Sequence, residues 1–277
     1  MDDNGIKRLL YLKWGLKMLE INKIICGEAS EVMKTFPDNC IDLTVTSPPY
    51  DNLRSYNGYT FDFEAIAQQL YRVTKKGGVV VWVVGDQTIN GSETGTSFRQ
   101  ALYFMTLSFN LHDTMIWNKG MFTSPQTVRY PNVFEYMFIF SKGKIMCNQI
   151  KDRLNKKAGS KSIHTMRKKN GAIKQMYADN RQIKINKMGV RFNIWNIYPE
   201  QSNHNRKHPA QFSEQLANDH IISWSNKGDL ILDPMCGSGT VPKMAIENDR
   251  NYIGIEISEK YIPIIENRIK NAQPQLF

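Results

Sequence analysis

The sequence is poor in cysteine, and the few it has are scattered. Its four cysteines form no Cys-x-x-Cys pair in a chain of 277 residues. A disulfide framework or a cysteine zinc site needs closely spaced pairs, so reduced thiols are expected. The stretch HNRKH at residues 204–208 lacks the glutamate that follows the first histidine in a zinc protease helix. We therefore expect no metal.

Long apolar runs are also missing. The longest covers residues 79–84, whereas a membrane span needs roughly 20 apolar residues. Near the N-terminus the apolar residues are interrupted by Lys13, Lys17 and Glu20, and no small-residue cleavage site follows. These absences predict a cytoplasmic protein without a membrane partner.

Acidic residues are fewer than basic ones, with 26 Asp and Glu against 36 Lys and Arg and a net charge of +10. The excess is local. Residues 142–191 contain 15 Lys and Arg but only two acidic residues, Asp152 and Asp179, so this segment carries +13 and the rest of the chain −3. A charge of this size in one segment indicates a polyanionic partner such as a nucleic acid. A merely solvated basic surface is the alternative.

Short runs of β-branched and aromatic residues alternate with helical patterns along the chain. The predicted strands are residues 21–27, 41–47, 78–86, 113–118, 134–142, 228–234 and 251–258. The predicted helices are residues 61–78, with a basic last turn and a C-cap glycine, 212–224, 239–248 and 258–271, with Ser258 as N-cap. This alternation predicts an α/β fold with a mostly parallel sheet. Aromatic residues in the basic segment favour an inserted lobe over a linker.

A glycine-rich turn follows one predicted strand, in the stretch DPMCGSGT at residues 233–240. Glycines allow a tight turn and the close approach of a ligand, and Glu256, at the end of the next strand, can accept hydrogen bonds from both hydroxyls of a ribose. This pattern is typical of a nucleoside site. Pro242 and Lys243 stand where a dinucleotide site has its third glycine, and the Gly-Lys-Ser/Thr of a phosphate loop is absent. Taken alone, the motif would be explained more simply as a strand-to-helix turn.

Two prolines end another predicted strand, in the stretch TSPPY at residues 46–50. Proline donates no main-chain hydrogen bond and keeps the preceding residue extended, so the carbonyl groups of Ser47 and Pro48 are held in a fixed orientation. Such acceptors can hold the exocyclic amino group of a nucleobase, while Tyr50 can stack on the base. A strand that stops at a proline turn is the competing interpretation.

The two motifs together are more specific than either alone. DLTVTSPPY, followed by DPMCGSGT beginning 186 residues after Ser47, resembles the amino-group DNA methyltransferases that use S-adenosyl-L-methionine. The order, with the catalytic motif first, the cofactor motif last and a variable segment between them, is similar to their beta group. The resemblance implies a Rossmann-like sheet with helices on both faces and a small basic target-recognition lobe. It divides the chain into a first catalytic part (22–142), a basic target-recognition region (143–202) and a second catalytic part (203–277).

The resemblance also implies roles for individual residues. Those that match the catalytic motif are Ser47, Pro48, Pro49 and Tyr50. Serine at the head of this motif, in place of aspartate, favours N4 of cytosine over N6 of adenine as the methylated atom. Those that match the cofactor site are Glu28 (where aspartate is usual), His208, Phe212, Asp233, Pro234, Cys236, Gly237, Ser238, Gly239, Thr240, Glu256 and Ile257. Asp86, at a strand end near the expected pocket, is a weaker candidate.

The implied reaction is a direct attack of the base amino nitrogen on the methyl group of S-adenosyl-L-methionine. Cys236 lies in the cofactor turn and not beside the prolines, which argues against the cysteine-dependent methylation of cytosine carbon 5. The implied partner is double-stranded DNA, and a cognate restriction endonuclease and a second copy of the chain are further candidates. The alternatives are an RNA methyltransferase, a protein-glutamine methyltransferase and a DNA-binding regulator without activity.

Overall fold

The protein consists of two compact units. The computed structural model describes residues 11–14, 17–49, 61–121, 127–162, 165–175, 183–199 and 212–273. The larger unit is Met1–Asn148 with Asn193–Phe277, and the smaller unit is Gln149–Phe192. Among the described residues, none of the helices is both long and apolar enough to cross a membrane.

One sheet of eight strands forms the centre of the larger unit. In chain order its strands are β1 (Lys23–Cys26), β2 (Ile41–Thr46), β3 (Thr74–Val84), β4 (Asn110–Asn118), β5 (Phe134–Ser141), β6 (Ile194–Asn196), β7 (Leu230–Asp233) and β8 (Asn251–Glu256). Their order across the sheet is β6-β4-β5-β3-β2-β7-β8-β1. β5 is antiparallel to both of its neighbours, and all other neighbouring pairs are parallel. The predicted, mostly parallel sheet is confirmed.

Helices cover both faces of this sheet. They are α1 (Ala29–Lys34), α2 (Phe63–Val73), α3 (Thr96–Thr106), α4 (Glu214–Trp224), α5 (Thr240–Glu247) and α6 (Ile262–Lys270). Residues of α1, α2 and α3 pack into the apolar core on one face, and residues of α4 and α5 pack into the core on the other. The arrangement is that of a Rossmann-like α/β fold.

Two helix boundaries differ from the prediction. α2 ends at Val73, because Thr74 turns to the extended conformation and its hydroxyl donates to the carbonyl of Leu70 at 2.6 Å. The lysines and glycines that follow therefore begin β3 and do not cap a helix. Ser258 makes no side-chain capping bond, and a 3₁₀ turn at Glu259–Tyr261 precedes α6.

Two helices, α1 and α3, were not predicted. α1 has only six residues, too few to show a helical period. α3 buries the polar Ser97 and Gln100 while Leu102 is 63% exposed, so its apolar residues do not mark one face. Gln100 can lie inside because its Oε1 accepts a hydrogen bond from Trp82 Nε1 at 2.8 Å.

The smaller unit contains three short antiparallel strand pairs. They are Arg153–Leu154 with Met188–Gly189, Lys161–Ser162 with Ile183–Lys184, and Thr165–Arg167 with Ile173–Gln175. Most of the described positive charge of residues 142–191 lies in this unit. Trp195, although inside the predicted region 143–202, is a buried residue of β6 in the larger unit.

Candidate active site

The segments that carry the two motifs follow neighbouring strands of the sheet. β2 pairs with β7, β7 with β8, and β8 with β1, all in parallel. Because parallel strands end at the same edge, the proline motif after β2, the glycine turn after β7, Glu256 at the end of β8 and Glu28 after β1 lie along one edge. Residues from both ends of the chain thus meet there.

The strand order reverses between β2 and β7. The chain leaves β2 through α2 and reaches β3 on one side, and it leaves β7 through α5 and reaches β8 on the other. In open α/β sheets this reversal opens a crevice beyond the strand ends, where ligands bind. The two motifs flank this crevice.

A buried hydrogen bond joins the two motif strands. Thr46 Oγ1 donates to Asp233 Oδ1 at 2.9 Å, and the backbone N–H of Met235 donates to the same oxygen at 3.2 Å. Ser47 and Pro49 are partly buried and Pro48 is buried. Tyr50, the last residue of the predicted catalytic set, lies outside the described residues, as does His208 of the cofactor set.

The turn after β7 needs its glycines. Gly237 and Gly239 have φ values of 52° and 78°, in the left-handed region that favours glycine. A Cβ on Gly239 would lie 2.7 Å from Cγ2 of Ile265 in α6. The turn is held by hydrogen bonds from Gly239 N–H to the Cys236 carbonyl at 2.7 Å and from Cys236 N–H to the Ile255 carbonyl at 2.9 Å. α5 then begins at Thr240.

Glu256 ties the glycine turn to the end of β8. Its Oε2 accepts from Gly237 N–H at 2.8 Å, and its Oε1 accepts from Ser258 N–H at 2.9 Å. The N–H of Ile257 also interacts with this carboxylate, which has about four acceptor positions, so about one remains for a further donor. Burial raises the pKa of Glu256 despite these bonds. Ile257, also in the predicted set, follows directly and is partly buried.

Asp233 is the most deeply buried acid of the site. Burial raises its pKa to about 7, the nearby Glu256 adds to the rise, and the hydrogen bond from Thr46 opposes it. Pro234 beside it is buried as well. Asp233 therefore changes its protonation state near neutral pH.

Phe212 is brought to the glycine turn by a direct contact. Its backbone carbonyl accepts a hydrogen bond from Thr240 Oγ1 at 3.3 Å. Cys236, within the turn, is buried, and burial raises the pKa of its thiol. A thiol in this state is protonated at neutral pH and is a poor nucleophile.

Two predicted residues have structural partners of their own. Glu28 caps α1, because its carboxylate accepts from the N–H groups of Ser30 at 3.0 Å and Glu31 at 2.8 Å. Asp86 accepts from Ser97 N–H at 2.9 Å in the first turn of α3. Each carboxylate holds the start of a helix, and a ligand role for either one stays a prediction.

Arg268 and Glu214 belong to the site and were missed by the sequence reasoning. Arg268 Nη1 donates to Ser238 Oγ at 2.9 Å and to the Ser238 carbonyl at 3.3 Å, while its Nη2 donates to Glu214 Oε1 at 2.5 Å. Lys243 Nζ reaches both oxygens of Glu214 at 2.7 Å. Burial raises the pKa of Glu214, but the bonds from Lys243 and Arg268 outweigh it and the pKa is lowered. No sequence motif marks these residues, because the contact depends on how α6 packs against α5.

Comparison with known proteins identifies the family. The family model for DNA methylases of the N6 and N4 type matches residues 41–267. The chain belongs to this DNA methylase family. The orphan methyltransferase M.BamHII of Bacillus amyloliquefaciens is 55% identical over 244 residues, covering 84% of this chain and 90% of the relative. The Type II methyltransferase M.SmaI of Serratia marcescens is 27% identical over 290 residues, covering 89% and 90%.

Solved structures give the same fold for this DNA methyltransferase. The cytosine-N4-specific PvuII DNA methyltransferase superimposes with a TM-score of 0.64 at 18% identity, over 89% of this chain and 85% of the other. The protein TTHA0409 of Thermus thermophilus, complexed with S-adenosyl-L-methionine, gives a TM-score of 0.61 at 22% identity, over 92% of this chain and 95% of the other. The resemblance drawn from TSPPY and DPMCGSGT is therefore confirmed at the level of family and fold.

The geometry explains what this edge of the methyltransferase can do. The glycine turn offers backbone close to the crevice, and Glu256 keeps an acceptor position near it. The proline motif lies one strand away, at the end of β2. One ligand held by the turn and a second held at the prolines would meet beyond the reversal of strand order.

Proposed function

We propose that this DNA methyltransferase transfers a methyl group from S-adenosyl-L-methionine to the N4 amino group of cytosine in double-stranded DNA. The observation that carries the proposal is the position of Ser47-Pro48-Pro49, which follows the strand next to the glycine turn. The serine favours cytosine. The PvuII enzyme, a structural neighbour that is cytosine-N4-specific, agrees with this preference.

The cofactor would lie in the turn after β7. The backbone of Gly237 and Gly239 allows close approach, and Glu256 offers an acceptor to the ribose hydroxyls. Phe212 and Thr240 adjoin the methionine end of this site. S-adenosyl-L-methionine supplies an electrophilic methyl group on its sulfonium.

The chain's own residues would orient the base. Ser47 and the carbonyl of Pro48 accept hydrogen bonds from the amino group. These bonds direct the nitrogen lone pair toward the methyl carbon. The N–CH₃ bond forms as the S–CH₃ bond breaks, and the nitrogen then loses one proton to solvent. Stacking on Tyr50 would recover ~1–3 kcal/mol of the few kcal/mol that extruding the base costs.

A single measurement tests the product. The protein is expressed in a host that lacks DNA methylation, and the hydrolysed genomic DNA is analysed by mass spectrometry. N4-methylcytosine is expected. Detection of N6-methyladenine would show that the enzyme methylates adenine instead, which is the second candidate because the family model covers both N6 and N4 enzymes. Absence of both products, with methyl transfer to RNA or protein instead, would overturn DNA as the substrate.

Two variants test the catalytic motif. Ser47→Ala and Tyr50→Ala are each expected to lower methyl transfer while the affinity for S-adenosyl-L-methionine, measured by calorimetry, stays near that of the unaltered protein. Unchanged turnover in both variants would overturn the assignment. If the unaltered protein neither binds the cofactor nor transfers methyl groups, it is instead the inactive DNA-binding regulator.

The basic region 143–202 would recognise the DNA target, with Lys and Arg on phosphates and a few side chains on base edges. The names of the relatives, one an orphan and one a Type II methyltransferase, favour a role in a restriction-modification or epigenetic system. A DNA affinity that does not change with salt would contradict phosphate contact. A partner endonuclease and a homodimer stay predictions, and sedimentation equilibrium tests the second.

A further inference from the structure

One hairpin of the smaller unit is exposed on both faces. The basic hairpin pairs Thr165–Arg167 with Ile173–Gln175. Every residue from 165 to 174 is exposed, and even the apolar Met166 and Ile173 are 54% and 68% exposed. An isolated two-stranded hairpin in water is marginally stable. A hairpin that buries neither face is therefore expected to have a binding partner.

The turn of the basic hairpin is well defined. Gly171 N–H donates to the Lys168 carbonyl at 2.9 Å, and Lys168 N–H donates to the Ala172 carbonyl at 2.8 Å. Gly171 has a φ of 82°, and Asn170 Oδ1 accepts from Ala172 N–H at 3.2 Å. These bonds close the tip, so it presents its side chains from a regular β-ribbon.

All the charge on the basic hairpin is positive. Arg167, Lys168, Lys169 and Lys174 face no acidic residue within the hairpin. Within the described part of the chain, their side chains form neither a hydrogen bond nor an ion pair. These four cations are therefore available to an anionic partner.

Two other cations of the same unit, both arginines, have partners within it. Arg191 donates to Asp152 at 2.9 Å. Arg153 donates to the Val190 carbonyl at 2.9 Å, and its guanidinium lies 4.3 Å from the ring centroid of Phe192. Arg153 and Arg191 therefore have structural partners within the unit, whereas the four cations of the basic hairpin do not.

We infer that the basic hairpin enters the major groove of the DNA substrate and is the part of the smaller unit that reads bases; this inference rests on the proposed function. A two-stranded β-ribbon fits the major groove. Each strand of the basic hairpin has three residues and extends about 10 Å, which exceeds the groove depth of about 8.5 Å. Arg167 offers a guanidinium suited to the O6 and N7 of guanine, and Lys168 and Lys169 reach phosphates.

The phosphate contacts are tested by the salt dependence of binding. The dissociation constant for an unmethylated 30-base-pair duplex of mixed sequence is measured at several salt concentrations. In the double variant Lys168→Gln/Lys169→Gln the slope of log K against log salt is expected to fall by about 1.8, since each phosphate contact contributes about 0.9. The control Lys260→Gln/Lys270→Gln removes the same charge from the larger unit and is expected to leave the slope unchanged.

The base contact is tested by mapping methylated sites on unmethylated plasmid DNA. Arg167→Ala is expected to relax the sequence requirement at one position and to lower discrimination there roughly 5- to 150-fold. Cofactor binding should stay unchanged, because the hairpin is exposed. Unaltered salt slope and unaltered site map would overturn the inference and leave the hairpin to another partner. Failure of the unaltered protein to methylate DNA would instead overturn the proposed function.

Discussion

Replacing Arg268 by methionine is expected to weaken S-adenosyl-L-methionine binding without unfolding the protein. Arg268 is the side chain of α6 that holds Ser238 in the glycine turn, through bonds of 2.9 and 3.3 Å to its hydroxyl and carbonyl. The side chain of Arg268 is only 16% exposed, so water replaces these bonds poorly. Methionine keeps much of the apolar stem and removes the donors.

The magnitude follows from the bonds that are lost. Hydrogen bonds that involve a charged group contribute about 1.5–3 kcal/mol each to stability, and a loosened turn transmits part of that to the ligand. We expect cofactor binding to weaken by about 1–2 kcal/mol, or roughly 5- to 30-fold in the dissociation constant. Isothermal titration calorimetry with S-adenosyl-L-methionine measures the change.

Lys243→Met is the matched control. Lys243 and Arg268 share the partner Glu214, but among the described residues Lys243 pairs with Glu214 and Glu247 and not with the turn. Both variants should lose a similar amount of unfolding free energy, measured in urea, while only Arg268→Met should lose cofactor affinity. Equal losses of affinity in the two variants would refute the idea that Arg268 acts through Ser238.

Three further perturbations test the same edge of the sheet. The pKa of Asp233, about 7, lies above the ordinary 3.8, so the folded state holds this proton more tightly than the unfolded chain. The stability that the bound proton contributes is lost as the pH rises from 3.8 to about 7. Asp233→Asn should flatten that loss in urea unfolding. Thr46→Val should cost ~1–3 kcal/mol and slow methyl transfer, whereas Thr46→Ser keeps the hydroxyl and should restore both. Gly239→Ala should lower the unfolding free energy more than Gly228→Ala and should also weaken cofactor binding. Both glycines have positive φ, but only a Cβ at position 239 would lie 2.7 Å from Ile265. Equal losses of unfolding free energy in the two variants would contradict the clash.

The sequence predicted the sheet well because its strands carry local signals. The run at residues 79–84 is apolar throughout, as a strand buried on both faces must be, and it lies inside β3. The residues at which helices end were harder to predict from the sequence. The Lys-Lys-Gly-Gly stretch after Val73 has the composition of a helix C-terminus, but Lys75 forms an ion pair with Asp42 of β2 at 2.7 Å, a partner 33 positions away.

The candidate site was predictable only where it has a motif. DPMCGSGT and TSPPY were recognised, but their contact through Thr46 and Asp233 spans 187 positions and has no local signal. Arg268 is one of two basic residues in its helix, and nothing in the local sequence distinguishes it from Lys270. Glu28 shows the opposite difficulty, since the same acid that matches a cofactor position also matches a helix N-cap.

The bonds around the two motifs bear on where the energetic cost of this reaction lies. The glycine turn is fixed from three sides, by the Ile255 carbonyl, the Glu256 carboxylate and the Arg268 guanidinium. The strand before the proline motif is tied to the same turn by Thr46. A turn already ordered in this way loses little conformational freedom when a ligand binds. Under the proposed mechanism the larger cost falls on the DNA, whose base has to leave the helix. Changes in the duplex at the target, such as a mismatch opposite the methylated base, should therefore raise the methylation rate more than any change that stiffens the turn.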